Sequence, residues 1–482
     1  MLTGGKTMKR KEAIPRQYLL STVGVLMVLV IIATIIFHLS KNVAHASSGD
    51  WTTFLQSNAR TGYNPAETAI NPTSVARLKV HWKIGAAGEI SSQPVAVNGV
   101  VYWGSWSGVE HATNAVTGKD IWAVNLGTTY GSCGSTTYGV LSTPTVTSTT
   151  INGVDKTVVI VGGGKADLYA LDATDGSTVW HTSLASSPAH FTYSSTAVFN
   201  GSVYVGVASL GDCPLSNGSV VRVDEATGTL QNTFNIVPNG CGGGSLWGSP
   251  AIDENAGMLY VATGNGKTCN GHSEPYARAI VALHTSDLSL ASSWPIPKAQ
   301  MTSDSDFGST PTLFQATIQG TSRSLLGVAN KNGIYYALDR TNLNTGPIWQ
   351  AQLAVGGASP EAGNGSISAS AYDGTYVYAA GGNTTIAGLA CKGSVSALNP
   401  ATGAFVWRSC VGKPVLAPVS AVPGLVTVGT GPNIAIVSAS TGKSLFTYTD
   451  ATKGSLFWGA ASISNGMLYQ GNLDGNLYAL GL

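Results

Sequence analysis

The chain has 482 residues, of which 43% are hydrophobic, so it can bury a large core as several domains or as one repeat architecture. Only 10% of the residues are charged and the formal net charge is +1, which argues against nucleic acid or an acidic lipid surface as a partner. The 60 glycines accompany this apolar content, so they indicate turns rather than disorder.

The first predicted element is an uncharged apolar segment, Tyr18–Phe37, about long enough to cross a bilayer as a helix. Lys9, Arg10, Lys11 and Arg16 precede it, so the positive-inside rule makes residues 1–17 a cytoplasmic tail and places the rest outside. The sequence AHA at Ala44–Ala46 offers an alternative, cleavage after Ala46 and secretion. A retained membrane anchor is favoured because the apolar run is longer than a usual signal core. Both alternatives predict export.

A recurring frame follows a linker and face-covering segment at residues 38–78. The frame is Ala-x-Asp/Asn, three residues, Gly, three residues, Trp, as in YALDATDGSTVW at Tyr169–Trp180 and VSALNPATGAFVW at Val395–Trp407. The acid or amide can accept backbone bonds across a turn, and the Gly permits a positive φ. The Trp lies on the returning strand and is predicted to bury its ring against the neighbouring unit.

These repeats predict a propeller. With the hairpin upstream of each copy, one unit has four strands in roughly 40–50 residues. Seven full units precede a last one that ends at its third strand, and Arg77–Gly85, with Trp82 as docking ring, can supply the missing strand. We predict an all-β, eight-bladed propeller of four-stranded antiparallel blades over residues 79–482, closed by its N- and C-terminal strands. The tryptophans assigned to packing are Trp122, Trp180, Trp349 and Trp407.

Six cysteines in an exported chain predict disulfides. Two pairs lie at similar distances on either side of a predicted hairpin turn, NPATG or DEATG. The predicted disulfides are therefore Cys391–Cys410 and Cys213–Cys241. Cys133 and Cys269 remain and would pair only by default. The sequence has no Cys-x-x-Cys-His motif for haem and no Cys/His cluster with zinc spacing.

The repeats resemble the pyrroloquinoline-quinone (PQQ) propeller repeat, and the resemblance covers nearly the whole exported region. Members of that family include quinoprotein alcohol dehydrogenases. They also include cofactor-free propellers, such as the lipoprotein of the outer-membrane barrel assembly machinery. The opening SNARTGYNPAETAINPTSVARLKVHW is similar to the polyvinyl-alcohol dehydrogenase branch in particular.

Three longer stretches resemble the cofactor site of the dehydrogenases. In GGGSLWGSPAIDENAGMLYVATGNG, the resemblance implies that Trp247 is the floor beneath PQQ and that Asn265 is a calcium ligand. In SDFGSTPTLF it implies that Asp306 is the catalytic base and lies beside the metal, although Ser305 replaces the family's Trp. In VANKNGIYYALDR it implies that Lys331 reaches the quinone oxygens.

The implied chemistry is hydride transfer from an alcohol to PQQ. Asn265 and Asp306 would help to hold calcium, which prefers oxygen ligands and would polarise the quinone carbonyl. Asp306 would take the alcohol proton, and Lys331 would neutralise charge building on the quinone oxygens. Gly308 stands where lanthanide-dependent members carry another Asp, which favours calcium, while Asp304 lies two residues before the base.

Three features of the family's site are missing. The adjacent Cys-Cys pair that covers PQQ is absent. Gly206–Ser219, where the Glu calcium ligand is expected, contains no Glu, and Asp212 is an approximate substitute. Glu89 lies near the place of a PQQ-contacting Glu, but its spacing to Pro94 differs from the family's.

Two hypotheses follow. The first is a PQQ- and calcium-dependent dehydrogenase that oxidises an alcohol outside the cytoplasm and passes electrons to a separate acceptor, such as a cytochrome or a quinone. The second is a cofactor-free propeller that serves as an extracytoplasmic protein-binding or assembly scaffold. An enzyme must bring Trp247, Asn265, Asp306 and Lys331 together around one cavity, whereas a scaffold need not.

Overall fold

The computed structural model describes residues 1–5, 49–131, 134–185, 189–211, 214–238, 240–267, 269 and 274–482. The predicted apolar segment at residues 18–37 and the alternative cleavage site at Ala46 lie outside these ranges. Within the described ranges, no helix has the length and apolar character needed to cross a bilayer. The helices there are short 3₁₀ turns at Val75–Arg77, Lys298–Gln300, Leu343–Thr345 and Pro360–Ala362.

Eight antiparallel sheets follow one another along the chain, which confirms the predicted eight-bladed, all-β propeller. Blades 1 and 2 consist, from the innermost strand outwards, of Val95–Val97, Val100–Gly104, Val109–Asn114 and Asp120–Asn125, then Thr145–Ile151, Val154–Gly162, Asp167–Asp172 and Thr178–Ser183. Blades 3 and 4 consist of Ala197–Phe199, Ser202–Ser209, Ser219–Asp224 and Leu230–Asn235, then Ala251–Asp253, Met258–Ala262, Ala279–His284 and Leu290–Pro295. A further short strand, His190–Phe191, pairs with the second strand of blade 3.

The second half of the ring repeats this arrangement. Blades 5 and 6 consist of Thr312–Ile318, Thr321–Ala329, Ile334–Asp339 and Pro347–Gln352, then Ala371–Tyr372, Val377–Gly381, Gly393–Leu398 and Phe405–Val411. Blades 7 and 8 consist of Ser420–Val422, Leu425–Thr430, Asn433–Ser438 and Ser444–Thr449, then Ser462–Ser464, Met467–Gly471, Asn476–Gly481 and Lys79–Gly85. Two small hairpins lie outside the blades, Thr129–Tyr130 with Thr137–Tyr138 and Thr384–Ile386 with Leu389–Cys391.

The two ends of the propeller meet in blade 8, as predicted. Lys79–Gly85 is its outer strand and pairs antiparallel with Asn476–Gly481, with Trp82 opposite Ala479. The indole of Trp82 donates to the carbonyl oxygen of Ala115 in blade 1, at 3.0 Å. Because the last blade is completed by the first strand of the domain, the ring closes without a free sheet edge at this point.

The docking tryptophans join each blade to the next. Their indole nitrogens donate over 2.8–3.0 Å to a carbonyl in the following blade's outer turn, in the pairs Trp122–Ala173, Trp180–Glu225, Trp349–Pro400 and Trp407–Ala439. The glycine of the same turn lies against the ring. At Gly403, where φ is +71°, a Cβ atom would overlap the indole of Trp349. The structure therefore confirms the packing role that the repeat predicts for these residues.

The predicted face-covering segment runs around the innermost strands. Residues 51–64 contact them in blade order, through Trp51 with Ala96, Thr52 with Val146, Asn58 with Val198 and Ile252, Ala59 with Leu313, Thr61 with Tyr372, Gly62 with Ala421 and Asn64 with Ile463. All eight blades thus contact one segment. Arg60 is fully buried within it and donates to the carbonyls of Phe54, Thr196 and Pro250, which satisfies its guanidinium without an acidic partner.

A chain of hydrogen bonds links the blades just before their innermost strands. Backbone nitrogens donate to hydroxyls of the next blade from Gln93 to Thr143, Thr143 to Ser195, Ser195 to Ser249 and Ser249 to Thr310, over 2.8–2.9 Å. These bonds run from blade 1 to blade 5 and fix the connecting loops at one end of the ring. The candidate site is built on those loops.

Candidate active site

A central cavity of about 580 Å³ opens above the inner ends of the blades. Its wall repeats with the fold, because the residue four positions before the innermost strand of every blade contributes to it. In blade order these residues are Ser91, Leu141, Tyr193, Trp247, Gly308, Ile367, Leu416 and Trp458. Phe54, from the segment that runs around the inner strands, lines the cavity as well. The blade repeat therefore determines which positions face the cavity, and the sequence varies at those positions.

A smaller cavity of about 290 Å³ adjoins it on the side of blades 3 to 5. Tyr193, Trp247 and Lys331 line both cavities. Asn265 and Asp306 line the smaller one. The structure therefore brings together Trp247, Asn265, Asp306 and Lys331, the four residues that the sequence singled out.

Each of these side chains comes from a different loop on the same end of the ring. Trp247 precedes the first strand of blade 4, and Asn265 follows its second strand. Asp306 lies on the connection to blade 5, and Lys331 lies in the turn after that blade's second strand. The backbone nitrogen of Lys331 donates to the carbonyl of Asp306 at 3.2 Å, which fixes the last two loops against each other.

Lys331 forms an ion pair with two carboxylates. Its Nζ lies 2.8 Å from Oδ2 of Asp304 and 3.1 Å from Oδ2 of Asp306. The same ammonium lies 5.1 Å from the ring centroid of Trp247, within cation–π range. Because Lys331 is only 11% exposed, bulk water screens these two ion pairs less than it would at the surface.

Asp304 is the residue that the sequence analysis underweighted. Its Oδ1 accepts from Nδ2 of Asn265 at 2.8 Å and from the backbone nitrogen of Asp306 at 3.2 Å. It is thus bonded to three of the site's other residues, Lys331 included. The signal was its place in SDSDF, two residues before the candidate base.

Asp306 is also bound on both oxygens. The backbone nitrogen of Asn265 donates to Oδ1, and Lys331 reaches Oδ2. The side chain is 16% exposed, so it opens on the cavity through a small part of its surface.

The titration behaviour of the three charged groups reflects this geometry. Burial raises the pKa of Asp306, Lys331 opposes the rise and the Asp304 charge adds to it, and the net pKa stays above the usual value. Burial also acts to raise the pKa of Asp304, but the hydrogen bonds from Lys331 and Asn265 outweigh it and hold that pKa low. For Lys331, burial acts to lower the pKa and the two carboxylates outweigh it, so the pKa is raised. Asp306 is therefore the carboxylate of the pair more readily protonated.

Gly308 lies beneath the indole of Trp247. A Cβ atom at this position would overlap the six-membered ring of Trp247 and also approach Ile367. Packing against Trp247 is therefore sufficient to explain the glycine at this position, where lanthanide-dependent members carry an Asp. An Asp at position 308 would require Trp247 to move.

Residues 51–353, well over half of the chain, match the family described as glucose/ethanol/alcohol dehydrogenase, beta-propeller domain. The chain belongs to this family. Residues 301–478 also match the family of the outer membrane protein assembly factor BamB. The resemblance stated from the repeats is therefore confirmed.

Curated relatives carry related descriptions. A polyvinylalcohol dehydrogenase of Sphingopyxis sp. (strain 113P3) is 24% identical over 332 residues, 60% of this chain and 48% of the relative. A quinohemoprotein alcohol dehydrogenase of Comamonas testosteroni is 27% identical over 345 residues, 62% of this chain and 46% of the relative. The chain spans about half the length of these curated relatives.

Solved structures share the propeller fold. The quinohemoprotein alcohol dehydrogenase ADHIIG from Pseudomonas putida HK5 matches with a TM-score of 0.72 at 17% identity, over 90% of this chain and 80% of that one. A europium-containing methanol dehydrogenase matches with a TM-score of 0.71 at 17% identity, over 92% of this chain and 99% of that one. At these identities the matches establish the fold.

The residues of this site fit the cofactors that the family implies. Asn265, Asp304 and Asp306 offer amide and carboxylate oxygens, the donors that calcium prefers. Trp247 offers an aromatic ring against a cavity of the size that binds small planar ligands. Lys331 now occupies both carboxylates, so a bound cation would have to share them with it. Asp212, the predicted substitute for the family's Glu ligand, lies outside the described residues.

The disulfides agree with the sequence in one case and correct it in another. Cys391 and Cys410 are bonded, as predicted. Cys241 is bonded to Cys269, so the predicted Cys213–Cys241 pair is wrong, as is the default partner of Cys269. The hairpin argument failed because the outer strand of blade 3 ends at Asn235, which leaves Cys241 on the linker beyond it. Cys133 and Cys213 lie outside the described residues.

Glu274 lies close to the corrected disulfide. One oxygen of its carboxyl group and both sulfurs lie within 4.8 Å of one another. Because both thiols are consumed in the disulfide, this group is not an open metal site.

Proposed function

We propose that the protein is a PQQ- and calcium-dependent dehydrogenase that oxidises an alcohol. The observation that carries the proposal is the convergence of Trp247, Asn265, Asp306 and Lys331 on adjoining cavities, from four separate loops. Packing of the propeller does not demand this convergence. Membership of the dehydrogenase propeller family and the descriptions of the curated relatives support it.

Trp247 would hold PQQ, which would supply a hydride acceptor when bound, and Asn265 and Asp306 would help to hold calcium, which would supply a Lewis acid. Asp306 accepts the proton of the alcohol hydroxyl through an oxygen that now faces Lys331. Its raised pKa makes it a stronger base than an exposed Asp, and it works only while ionised. Asn265 holds Asp306 in place through its backbone nitrogen and offers its side-chain amide to the cation.

Lys331 has two tasks in this proposal. Its ammonium neutralises the Asp304 and Asp306 charges before ligands arrive, which keeps two carboxylates stable side by side. It also lies over Trp247, so it can interact with negative charge on a ligand stacked there. Asp304 orients Lys331 and Asn265 towards the same point.

In this proposal electrons leave the site to a separate acceptor. A soluble or membrane-bound cytochrome or a quinone fits this role. We place the propeller outside the cytoplasm, on the basis of the basic tail before the apolar segment at residues 18–37. Retention of that segment would anchor the propeller to the membrane.

A second candidate function rests on the match of residues 301–478 to the assembly-factor family. In that case the propeller is a cofactor-free scaffold, and the charged cluster has only a structural role.

Titration of the purified exported domain with PQQ in the presence of calcium separates the two functions. We expect saturable binding by calorimetry, with quenching of tryptophan fluorescence in the wild type. The substitutions Trp247→Ala and Asn265→Ala should abolish it, while Trp407→Phe, at a docking position on the outer strand of blade 6, should not. Reduction of a dye by alcohols then tests the activity. Absence of binding at tens of micromolar PQQ would exclude the dehydrogenase and favour the scaffold.

A further inference from the structure

The disulfide Cys241–Cys269 brackets the candidate site along the chain. Cys241 lies six residues before Trp247, and Cys269 lies four residues after Asn265. The two Cα atoms are 5.5 Å apart. Between the cysteines lies the inner hairpin of blade 4, Ala251–Asp253 with Met258–Ala262. The disulfide therefore joins the two arms that carry Trp247 and Asn265 out of that hairpin.

The two arms pair with each other over a short distance. Gly243 forms an isolated antiparallel bridge with Gly266. Backbone N–H groups donate to carbonyl oxygens across the arms, from Gly244 to Asn265 at 2.7 Å, from Gly264 to Ser245 at 2.9 Å and from Lys267 to Gly242 at 3.2 Å. A Cβ atom at Gly243 would clash with the carbonyl oxygen of Asn265, so the arms are in direct backbone contact.

These arms lie beyond the regular strands of the blade. Blade 4 itself is held by ladders between its four strands and by the core around Leu259, Val261 and Val281. The arms are held by single hydrogen bonds instead of a ladder. Besides the bonds given above, Gly243 bonds with Ser216 and Gly218, Leu246 donates to Val207, and Gly264 accepts from Arg278. The propeller can keep its fold without the disulfide because the ladders hold the blade, whereas the disulfide holds the outer ends of the two arms together.

We propose that Cys241–Cys269 is a positioning element of the cofactor site, which holds the ring of Trp247 and the side chain of Asn265 at the same cavity. The ligands that it prepares for, PQQ and calcium, rest on the proposed function. A change in register of the arms would move Asn265 relative to Asp304 and Asp306, to which its side chain and backbone are bonded.

The second disulfide supplies a matched control. Cys391 and Cys410 link the small hairpin at Leu389–Cys391 to the outer strand of blade 6, Phe405–Val411. Neither of the two site cavities has a residue of Thr384–Val411 in its wall. Loss of this disulfide should affect blade 6 alone.

The experiment compares Cys241→Ser/Cys269→Ser with Cys391→Ser/Cys410→Ser in the exported domain. Calorimetry measures the affinities for calcium and for PQQ, and hydrogen exchange of the free protein measures the backbone amides of residues 242–247 and 264–267. We expect the first variant to bind both ligands at least about tenfold more weakly than wild type and to exchange those amides about tenfold faster. The control variant should match wild type in both measurements, although its Tm should change by about as much as that of the first variant.

The outcomes separate this inference from the proposed function. If the wild type binds PQQ and the first variant binds it equally well, the positioning role is wrong and the dehydrogenase proposal stands. If the wild type binds no PQQ, the dehydrogenase proposal fails, and hydrogen exchange alone decides whether the disulfide holds the arms. Unchanged exchange in the first variant would overturn the inference in either case.

Discussion

The loops that precede the first strands of blades 5 and 8 share one backbone arrangement, but their side chains differ in chemistry. Asp306 and Leu456 each lie six residues before the first strand of their blade. The backbone nitrogen of Lys331 donates to the carbonyl of Asp306 at 3.2 Å, and that of Leu473 donates to the carbonyl of Leu456 at 2.9 Å. Asp306 and Lys331 of blade 5 thus correspond to Leu456 and Leu473 of blade 8.

The residues that hold this arrangement are the same in both blades. A serine precedes Asp306 and Leu456, and an asparagine precedes Lys331 and Leu473. In blade 5 the amide of Asn330 donates to the carbonyl of Ser305, and in blade 8 the amide of Asn472 donates to the hydroxyl of Ser455. The repeat therefore specifies the backbone, and the ion pair is an addition that the fold does not need. Because the fold does not need these charged side chains, they can be replaced to test function without unfolding the protein.

The largest effect should follow from making blade 5 resemble blade 8. In Asp306→Leu/Lys331→Leu both charges are removed together, and the backbone bond between the two positions is kept. We expect a folded protein whose calcium and PQQ affinities fall about 100-fold or more, because two of the site's charged groups are gone. Calorimetric titration measures the affinities and circular dichroism checks the fold. Wild-type affinity in this variant would show that the ion pair has no part in binding.

A smaller effect is expected when only the proton acceptor is lost. Asp306→Asn keeps an oxygen that can accept from the backbone of Asn265, but it cannot take a proton from an alcohol. We expect kcat to fall by about 10²–10⁴ while the affinity for PQQ changes little. Dye reduction at saturating alcohol measures kcat, with calorimetry on the same preparation as the control. A kcat close to wild type would exclude Asp306 as the base.

Removal of Lys331 alone should lower stability in a pH-dependent way. Lys331→Met leaves Asp304 and Asp306 side by side without a cation. We expect a loss of about 2–3 kcal/mol at pH 7, less than the ~3–5 kcal/mol of a fully buried pair, because the three side chains are 11–20% exposed. Without the cation, we expect each carboxylate to raise the pKa of the other in the folded state. The loss of stability is then present above those pKa values and disappears as the carboxylates become protonated.

Urea unfolding of the unliganded protein checks this sign. In wild type the low pKa of Asp304 contributes stability that is lost as the pH falls through that pKa. The difference between wild type and Lys331→Met should therefore shrink towards about pH 4. Lys413→Met, at an exposed lysine, is the control and should change stability by less than about 0.5 kcal/mol at either pH. A difference that grows on acidification would contradict the assignment.

The sequence predicted the parts of the molecule that repeat. Periodic Gly and Trp residues were enough for the eight blades, the closure at Trp82 and the docking contacts, since each blade carries its own copy of the signal. The partner of Cys241 could not be found in this way, because the linker after Asn235 has no repeat to fix its path. Asp304 was noticed but not placed in the site, since its role depends on the distance to Lys331 and Asn265 in space.

The smallest effect should come from the reverse exchange in blade 8. Leu456→Asp/Leu473→Lys introduces a carboxylate and an ammonium at two half-buried residues that are joined by the equivalent backbone hydrogen bond. Gly454 stands where blade 5 has Asp304, so the new lysine meets one carboxylate instead of two. We expect a stability change within about 1 kcal/mol by urea unfolding and no additional calcium bound by calorimetry. A second calcium ion would mean that the acid–base pair alone builds a cation site. Its absence would show that Asp304 and Asn265 are what turn a repeat position into a binding site.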